Sequence, residues 1–407
     1  MKLRISKKTK IVYFLLLAAY TCLLFVLFRN QAFHVEYQHY GSDVDAYLLE
    51  MQGLDSGFDF PYPVYFMLGR FIALFSNVKW GATFSATILN SISPAVLSYF
   101  MLKELAPLVP ENDRNRTAFE SFILLITYSI FFISMLYPPK SIYLPGMTLR
   151  NLGVYSANPY YNQTYLAARG FAILAFFLFA HIITYYEDHV DKKEYIAFSA
   201  ALLLATLTKP SFTFVLVSAA AVHMIVRLII SKGKKFREFL CLLATAVPTF
   251  ITLIIQFGGV FGSSSHAGED GGIGFAIGKA WSVYTGNIVL AIMLANAFPG
   301  VMMLLNLKRF KDNKTFLLAW EVMMAGFLEF LFLYEKGDRF IHCNFAWGYI
   351  YGIFFVFVAG MMLLIENTVK KKQPVPLLVF EWAVYAWHLG CGIVFFVWLY
   401  TGGYFYV

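Results

Sequence analysis

Apolar residues in this chain neither alternate with polar ones nor recur at every third or fourth position. They come in eleven nearly unbroken stretches, at about residues 11–29, 81–102, 118–137, 166–186, 195–208, 212–230, 239–258, 288–306, 316–334, 346–366 and 377–400. A bilayer core roughly 30 Å thick takes about 20 apolar residues in helical form. Inside it every backbone polar group must be paired within the segment, which favours helices over open sheets. The pattern therefore predicts an all-α integral membrane protein, a polytopic bundle of about 11 transmembrane helices. Only Lys209-Pro210-Ser211 separates the short fifth stretch from the sixth, so those two read either as two spans or as one broken or re-entrant segment. Phe58 to Phe75 is also apolar, but Pro61, Pro63, Gly69 and Arg70 interrupt it. That pattern predicts a helix lying at the membrane surface.

Composition agrees: 59% of the 407 residues are hydrophobic and 14% charged, with a mean hydropathy of +0.64, where ordinary soluble domains are about one quarter charged. Charge placement sets orientation, because short loops rich in Lys and Arg stay cytoplasmic. With the N-terminus inside, 22 of the 32 basic residues fall on cytoplasmic segments, among them Lys7, Arg114, Lys193, Lys234, Arg309 and Lys371. The expected topology has a cytoplasmic N-terminus, an extracytoplasmic C-terminus and outer segments at about 30–80, 138–165, 259–287 and 335–345. The net charge of +8 is dispersed over six loops and lacks the single basic stripe of a nucleic-acid binder. No small-residue cleavage site follows Phe28, so the first stretch reads as an uncleaved span. Cys22, Cys241, Cys343 and Cys391 show neither disulfide nor metal spacing. With no repeat, linker or soluble segment, residues 1–407 read as one polytopic domain. Short inner loops and an uncleaved start suit a bacterial inner membrane.

Chemistry is expected outside, where the long segments lie. The first, YQHYGSDVDAYLLEMQGLDSGFDFPYP at residues 37–63, carries five acidic side chains. Asp43 and Asp45 are separated by one residue, so in extended chain they project to one side. There they would hold a divalent cation, Mg or Mn, or one carboxylate would act as a general base beside the other. The alternative is structural: Ser42 or Asp43 caps a helix beginning DAYLLEM. Ionisable residues near mid-span, as ion-coupled transporters need, are limited to His181, His223, Glu381 and His388.

An acidic motif in the first outer loop, then the interfacial segment Phe60-Pro61-Tyr62-Pro63 and many further spans, resembles the membrane-embedded glycosyltransferases of the GT-C fold. NPYYNQTYLAARGF (158–171), LTKPSF (207–212) and EKGDRFIHCNFAWGY (335–349) are similar to stretches of bacterial multi-pass proteins of that type. The resemblance implies transfer of a sugar, with inversion, from a polyprenyl-phosphate-linked donor to a glycan, lipid or protein acceptor outside the cytoplasm, in contact with membrane lipid. It places the base, or a metal ligand, on Asp43 or Asp45. The departing phosphate needs positive charge, for which Arg339, Arg169, Lys209 and Arg150 are the candidates. His342 and Tyr62 complete the expected substrate-binding set, and Tyr155, Tyr160, Tyr161, Tyr165 and Trp347 are expected either to stack on sugar or to anchor the bundle. A polysaccharide polymerase or ligase, and a lipid-linked sugar flippase or transporter, are the competing readings.

Overall fold

The computed structural model describes residues 5–34, 39–136, 156–188, 190–261 and 272–404. Fifteen α-helices appear among them in chain order: α1 (Lys7–Phe33), α2 (Val44–Gln52), α3 (Pro63–Ala73), α4 (Val78–Glu104), α5 (Asp113–Ile130), α6 (Gln163–Tyr185), α7 (Lys192–Thr208), α8 (Ser211–Ile230), α9 (Phe236–Phe261), α10 (Ile288–Ala295), α11 (Ala297–Leu305), α12 (Arg309–Asp312), α13 (Lys314–Phe332), α14 (Ala346–Val369) and α15 (Val375–Tyr400). The described sheet is one antiparallel pair, β1 (Ile273–Phe275) with β2 (Leu333–Glu335), in which Gly274 faces Tyr334.

Eight helices (α1, α4, α6, α8, α9, α13, α14 and α15) are long and apolar enough to cross a membrane. The count becomes nine if α10 and α11, which meet at a 76° bend, form one span. The expectation of eleven also included α5 and α7. The first turns of α5 carry Asp113, Arg114, Arg116 and Glu120, and α7 has only 17 residues. Lys209 and Pro210 divide α7 from α8, so the Lys-Pro step ends one helix and begins another. Proline supplies the reason, since the residue before it is pushed out of helical geometry, and Lys209 is extended at φ −168° and ψ 122°.

α14 runs through the middle of the bundle, with apolar residues on every side and almost every side chain buried, as a helix hydrophobic all round must be. Glycines let its neighbours approach. A Cβ on Gly326 of α13 would lie 2.7 Å from the Tyr349 backbone nitrogen, and one on Gly352 would lie 2.6 Å from the Met323 Cα. Such small-residue contacts bring helix backbones together where lipid offers no hydrophobic drive.

The two poles of the bundle differ in chemistry. At one, Glu366 receives Arg309, Lys370 and Lys372 at 2.6, 2.9 and 2.8 Å, Arg227 pairs with Glu187, and the Glu120 carboxylate takes Arg116 Nε at 3.0 Å and Thr9 Oγ1 at 2.6 Å. The opposite pole gathers α2, α3, the start of α6, the α7–α8 junction and the start of α14, with aromatic rings between them. Tyr47, Phe60, Tyr62, Tyr65 and Phe66 pack ring to ring there.

Candidate functional site

The first acidic residue of the opening motif lies at this aromatic pole, where it meets the segment that begins α6. Asp43 N donates to Tyr161 O at 3.1 Å, which fixes the two segments against each other. One residue further on, Asn162 caps α6, its Oδ1 accepting from Tyr165 N at 2.8 Å. An N-cap asparagine before an apolar run is what a helix start requires. The cap also reaches two charged groups: Asn162 Nδ2 donates to Asp43 Oδ2 at 2.6 Å, and Lys209 Nζ donates to Asn162 Oδ1 at 3.2 Å. Thr164 stands beside it, accepting from Lys209 Nζ at 3.3 Å and sharing a 3.0 Å hydrogen bond with Tyr47 OH.

Lys209 therefore enters the site because the Lys-Pro step turns it out of α7. Its ammonium lies 4.7 Å from the centre of the Trp347 ring and 5.7 Å from that of Tyr62, an arrangement in which ring faces attract a cation. Burial pulls the Lys209 pKa down from the usual ammonium range, partly offset by the Asp43 charge. For Asp43, burial is the larger effect and pushes the carboxyl up, against the opposing pull of the Lys209 charge and the hydrogen bonds from Asn162 and Tyr47. The two groups are thus drawn toward each other on the pH scale. A carboxylate and an amine brought near neutrality in one polar pocket have the properties of a general base and a general acid.

Asp43 and Asp45 are not brought to one side by extended chain. The chain is not extended here: Asp43 is the residue before α2 and Asp45 stands in its first turn. Positions two apart at a helix start do not face each other. Asp45 is exposed and its Oδ1 accepts from Ala46 N at 2.8 Å. Asp43 is half-buried and makes no side-chain capping bond to α2, so capping does not account for it. No cluster of three or more His, Cys, Asp or Glu forms around them among the described residues.

Arg169, expected to meet a lipid headgroup, is sealed inside the bundle instead. Its side chain is wholly buried, with the guanidinium 4.8 Å from the Phe131 ring centre and 4.9 Å from that of Phe354. Nη1 donates to Ala157 O at 3.2 Å and to Asn158 Oδ1 at 2.6 Å, so Arg169 holds the segment that leads into Asn162. Tyr160 and Tyr165 are buried with it, which makes them packing residues, while Trp347 is partly exposed and borders the site.

Arg339 belongs to the same pole. Its Nε pairs with Glu335 Oε1 at 3.0 Å, and its charge acts on the Tyr62 hydroxyl. His342 packs against Phe58, ring centres 4.9 Å apart. Next to Tyr62, a cavity of about 300 Å³ opens between Phe60, Pro61, Pro63, Phe66 and Met67, with Glu50 and Arg70 among its lining residues and joined at 3.0 Å. Arg150 and Tyr155 lie outside the described residues.

Sequence reasoning did not assign roles to Asn162, Thr164 and Tyr47. The polar triplet Asn162-Gln163-Thr164, opening an apolar helix, is the signal that marks the first two. No comparable signal marks Tyr47, whose place depends on how α2 packs. No protein-family model matches the chain, and no curated protein matches it either.

Proposed function

We propose that this protein is a membrane glycosyltransferase that moves a sugar from a polyprenyl-phosphate-linked donor to an acceptor hydroxyl on the extracytoplasmic side, with Asp43 as the general base. The reading rests on one observation above the others: the Asp43 carboxyl is held 2.6 Å from Asn162, and Asn162 in turn carries Lys209. A raised carboxyl accepts the acceptor's proton as the new bond forms. Lys209 and Arg339 supply positive charge for the departing phosphate. The partly exposed Trp347, and Tyr62 buried beside it against Lys209, offer rings for the sugar. Helix α3, exposing Met67 and Phe71, with Leu74 and Phe75 exposed just after it, lies along the membrane surface and presents its cavity to the lipid part of the donor.

Polar groups inside the bundle favour an enzyme over a carrier. His388 Nδ1 bonds Ser134 O at 2.7 Å, and its Nε2 accepts from Phe298 N at 3.2 Å just after the bend between α10 and α11. His223 is bound to Glu321 at 2.8 Å. Both are occupied in tying helices together. The competing polymerase or ligase would concentrate its working groups in one large late loop, whereas this pocket draws on the first.

The test is Asp43→Asn, nearly isosteric and without a capping bond to lose. With purified protein, a polyprenyl-phosphate sugar and a hydroxyl acceptor, transfer should fall about a hundredfold, the scale of a lost general base, at unchanged folded yield. Full transfer by this variant would end the assignment.

A further inference from the structure

The pole opposite the candidate site is built from two turns far apart in sequence, one joining α11 to α12 and the other joining α14 to α15. Asn306 Oδ1 accepts from Asn367 Nδ2 at 2.9 Å and from Gln373 Nε2 at 3.3 Å, which fastens the first turn to both sides of the second. Around that clamp three cations converge on one carboxylate. Arg309 Nη2 donates to Glu366 Oε2 at 2.6 Å, while Lys370 Nζ and Lys372 Nζ share Oε1 at 2.9 and 2.8 Å. One negative charge does not neutralise three positive ones, and two ammoniums on one oxygen repel each other. Lys308, Lys311 and Lys371 add exposed positive charge from the same two turns, against the exposed Asp312 and, in an adjoining cleft, Glu104. Arg309 also keeps a buried Nε without an acceptor.

The end of α14 shows that the middle lysine stands at an unusual position. Lys371 N donates to Thr368 O at 3.4 Å and Lys372 N to Asn367 O at 3.0 Å. These are the paired bonds of a Schellman motif, whose turning residue is usually glycine. Here it is Lys371, at φ +49°, in the left-handed region where a Cβ is costly. The fold thus holds a charged side chain where its backbone favours none, between two further lysines.

The surroundings define what kind of anion fits. Leu304, Leu307, Val369 and Val375 border the two basic turns in sequence and expose apolar side chains. Trp382 Nε1 donates to Thr368 Oγ1 at 3.0 Å, and tryptophan at a helix end of this kind marks the headgroup level of a bilayer. Beside Glu366 and Lys370, a cleft of about 230 Å³ opens between Leu105, Pro107, Leu108 and Met362. A soluble anion would use the cations alone. A phospholipid uses the cations for its phosphate and the apolar rim for its chains. We propose that these two turns form a binding site for an anionic phospholipid in the leaflet that this pole meets, with Arg309, Lys370, Lys371 and Lys372 on its phosphate. The site is separate from the Asp43 pocket and requires nothing of it.

The test uses the full chain in nanodiscs of phosphatidylcholine, with phosphatidylglycerol replacing part of that lipid. The thermal midpoint should rise with the phosphatidylglycerol fraction, and native mass spectra should show phosphatidylglycerol retained in preference to phosphatidylcholine. Lys371→Gly is the sharpest variant, because it removes a charge and relieves the backbone together. In pure phosphatidylcholine its midpoint should hold or rise, while its retention of phosphatidylglycerol falls about fivefold, the scale of one basic residue at an anionic surface. Removing two cations together, in Lys370→Gln with Lys372→Gln, should cost more. Lys232→Gly is the matched control, since Lys232 has φ +51° in the turn between α8 and α9. It loses the same charge from the same backbone conformation, and retention should stay within about twofold. Equal losses in Lys371→Gly and Lys232→Gly would reduce the effect to general surface charge and overturn the site. Equal retention of the two lipids would overturn it as well. So would inorganic phosphate reproducing the full midpoint shift at matched ionic strength, which would assign the cations to a soluble anion.

Discussion

Two buried cations, Arg169 and Lys209, sit in the same bundle and show how different surroundings give one charge two uses. Arg169 lies within α6 between two phenyl rings, its described hydrogen bonds going to a backbone carbonyl and a neutral amide. No carboxylate pairs with it among the described residues. Lys209 stands where two helices part, against a partly exposed tryptophan, two hydroxyl or amide oxygens and the field of Asp43. A guanidinium sealed among rings, carbonyls and neutral tyrosine hydroxyls is a fastener, because no carboxyl of raised pKa stands beside it among the described residues. An ammonium next to a raised carboxyl is a participant.

Substituting each cation by methionine breaks the comparison in opposite ways. Lys209→Met should cost about a hundredfold in turnover per folded molecule, the size of a lost acid or electrostatic partner, with folded yield kept or improved, since a desolvated charge is removed. Arg169→Met leaves Ala157 O and Asn158 Oδ1 without their donor. At roughly 1–3 kcal/mol for each orphaned buried group, it should lower the thermal midpoint in detergent while the surviving folded molecules turn over normally. If both variants lose stability and neither loses specific activity, Lys209 is a fastener too.

The pH dependence sharpens the same contrast. Asp43 works as a base only when ionised, and burial raises its pKa while the Lys209 charge lowers it. The acid limb of the rate profile should therefore lie above the ordinary carboxylate range, and in Lys209→Met it should move further up, residual activity being measured from acid to neutral pH. Stability runs the other way for this group. A carboxyl raised in the fold stabilises it fully below the unfolded carboxyl pKa, and that contribution fades as pH rises through the folded value. Lys209, lowered in the fold, makes stability rise with pH between its folded and ordinary values. A limb that does not move in Lys209→Met would mean that the two groups do not sense each other.

Much of the fold is legible in the sequence because a bilayer permits few solutions: each long apolar run of the chain coincides with a helix or a bent helix pair. The site is only partly legible. Asp43, Lys209, Tyr62 and Arg339 are visible as polar residues in a greasy chain, and the Lys-Pro step marks a break. Arg169 looks equally promising in sequence, because letters do not show whether a helix face is sealed by Phe131 and Phe354. Thr164 and Tyr47 look ordinary, and gain meaning only when α2 docks against the start of α6. Pairing Asp43 with Asp45 was a question of local geometry, since extended chain puts them on one side and a helix start does not.

That last distinction yields the smallest expected effect. Asp45 is exposed and spends one oxygen on the adjacent backbone N–H, yet its charge still pushes the Asp43 pKa up. Asp45→Asn keeps a side-chain acceptor in the first turn and removes the charge, so it should leave maximal turnover within about twofold, far from the loss expected when a general base is removed. With one negative neighbour gone, Asp43 ionises more easily, and the acid limb of the profile should shift slightly to lower pH. The result to look for is therefore a small displacement of the profile at constant plateau. A large fall in the plateau would return Asp45 to the reacting centre and restore the two-carboxylate reading. A displacement toward higher pH would show that the two side chains interact through something other than their charges.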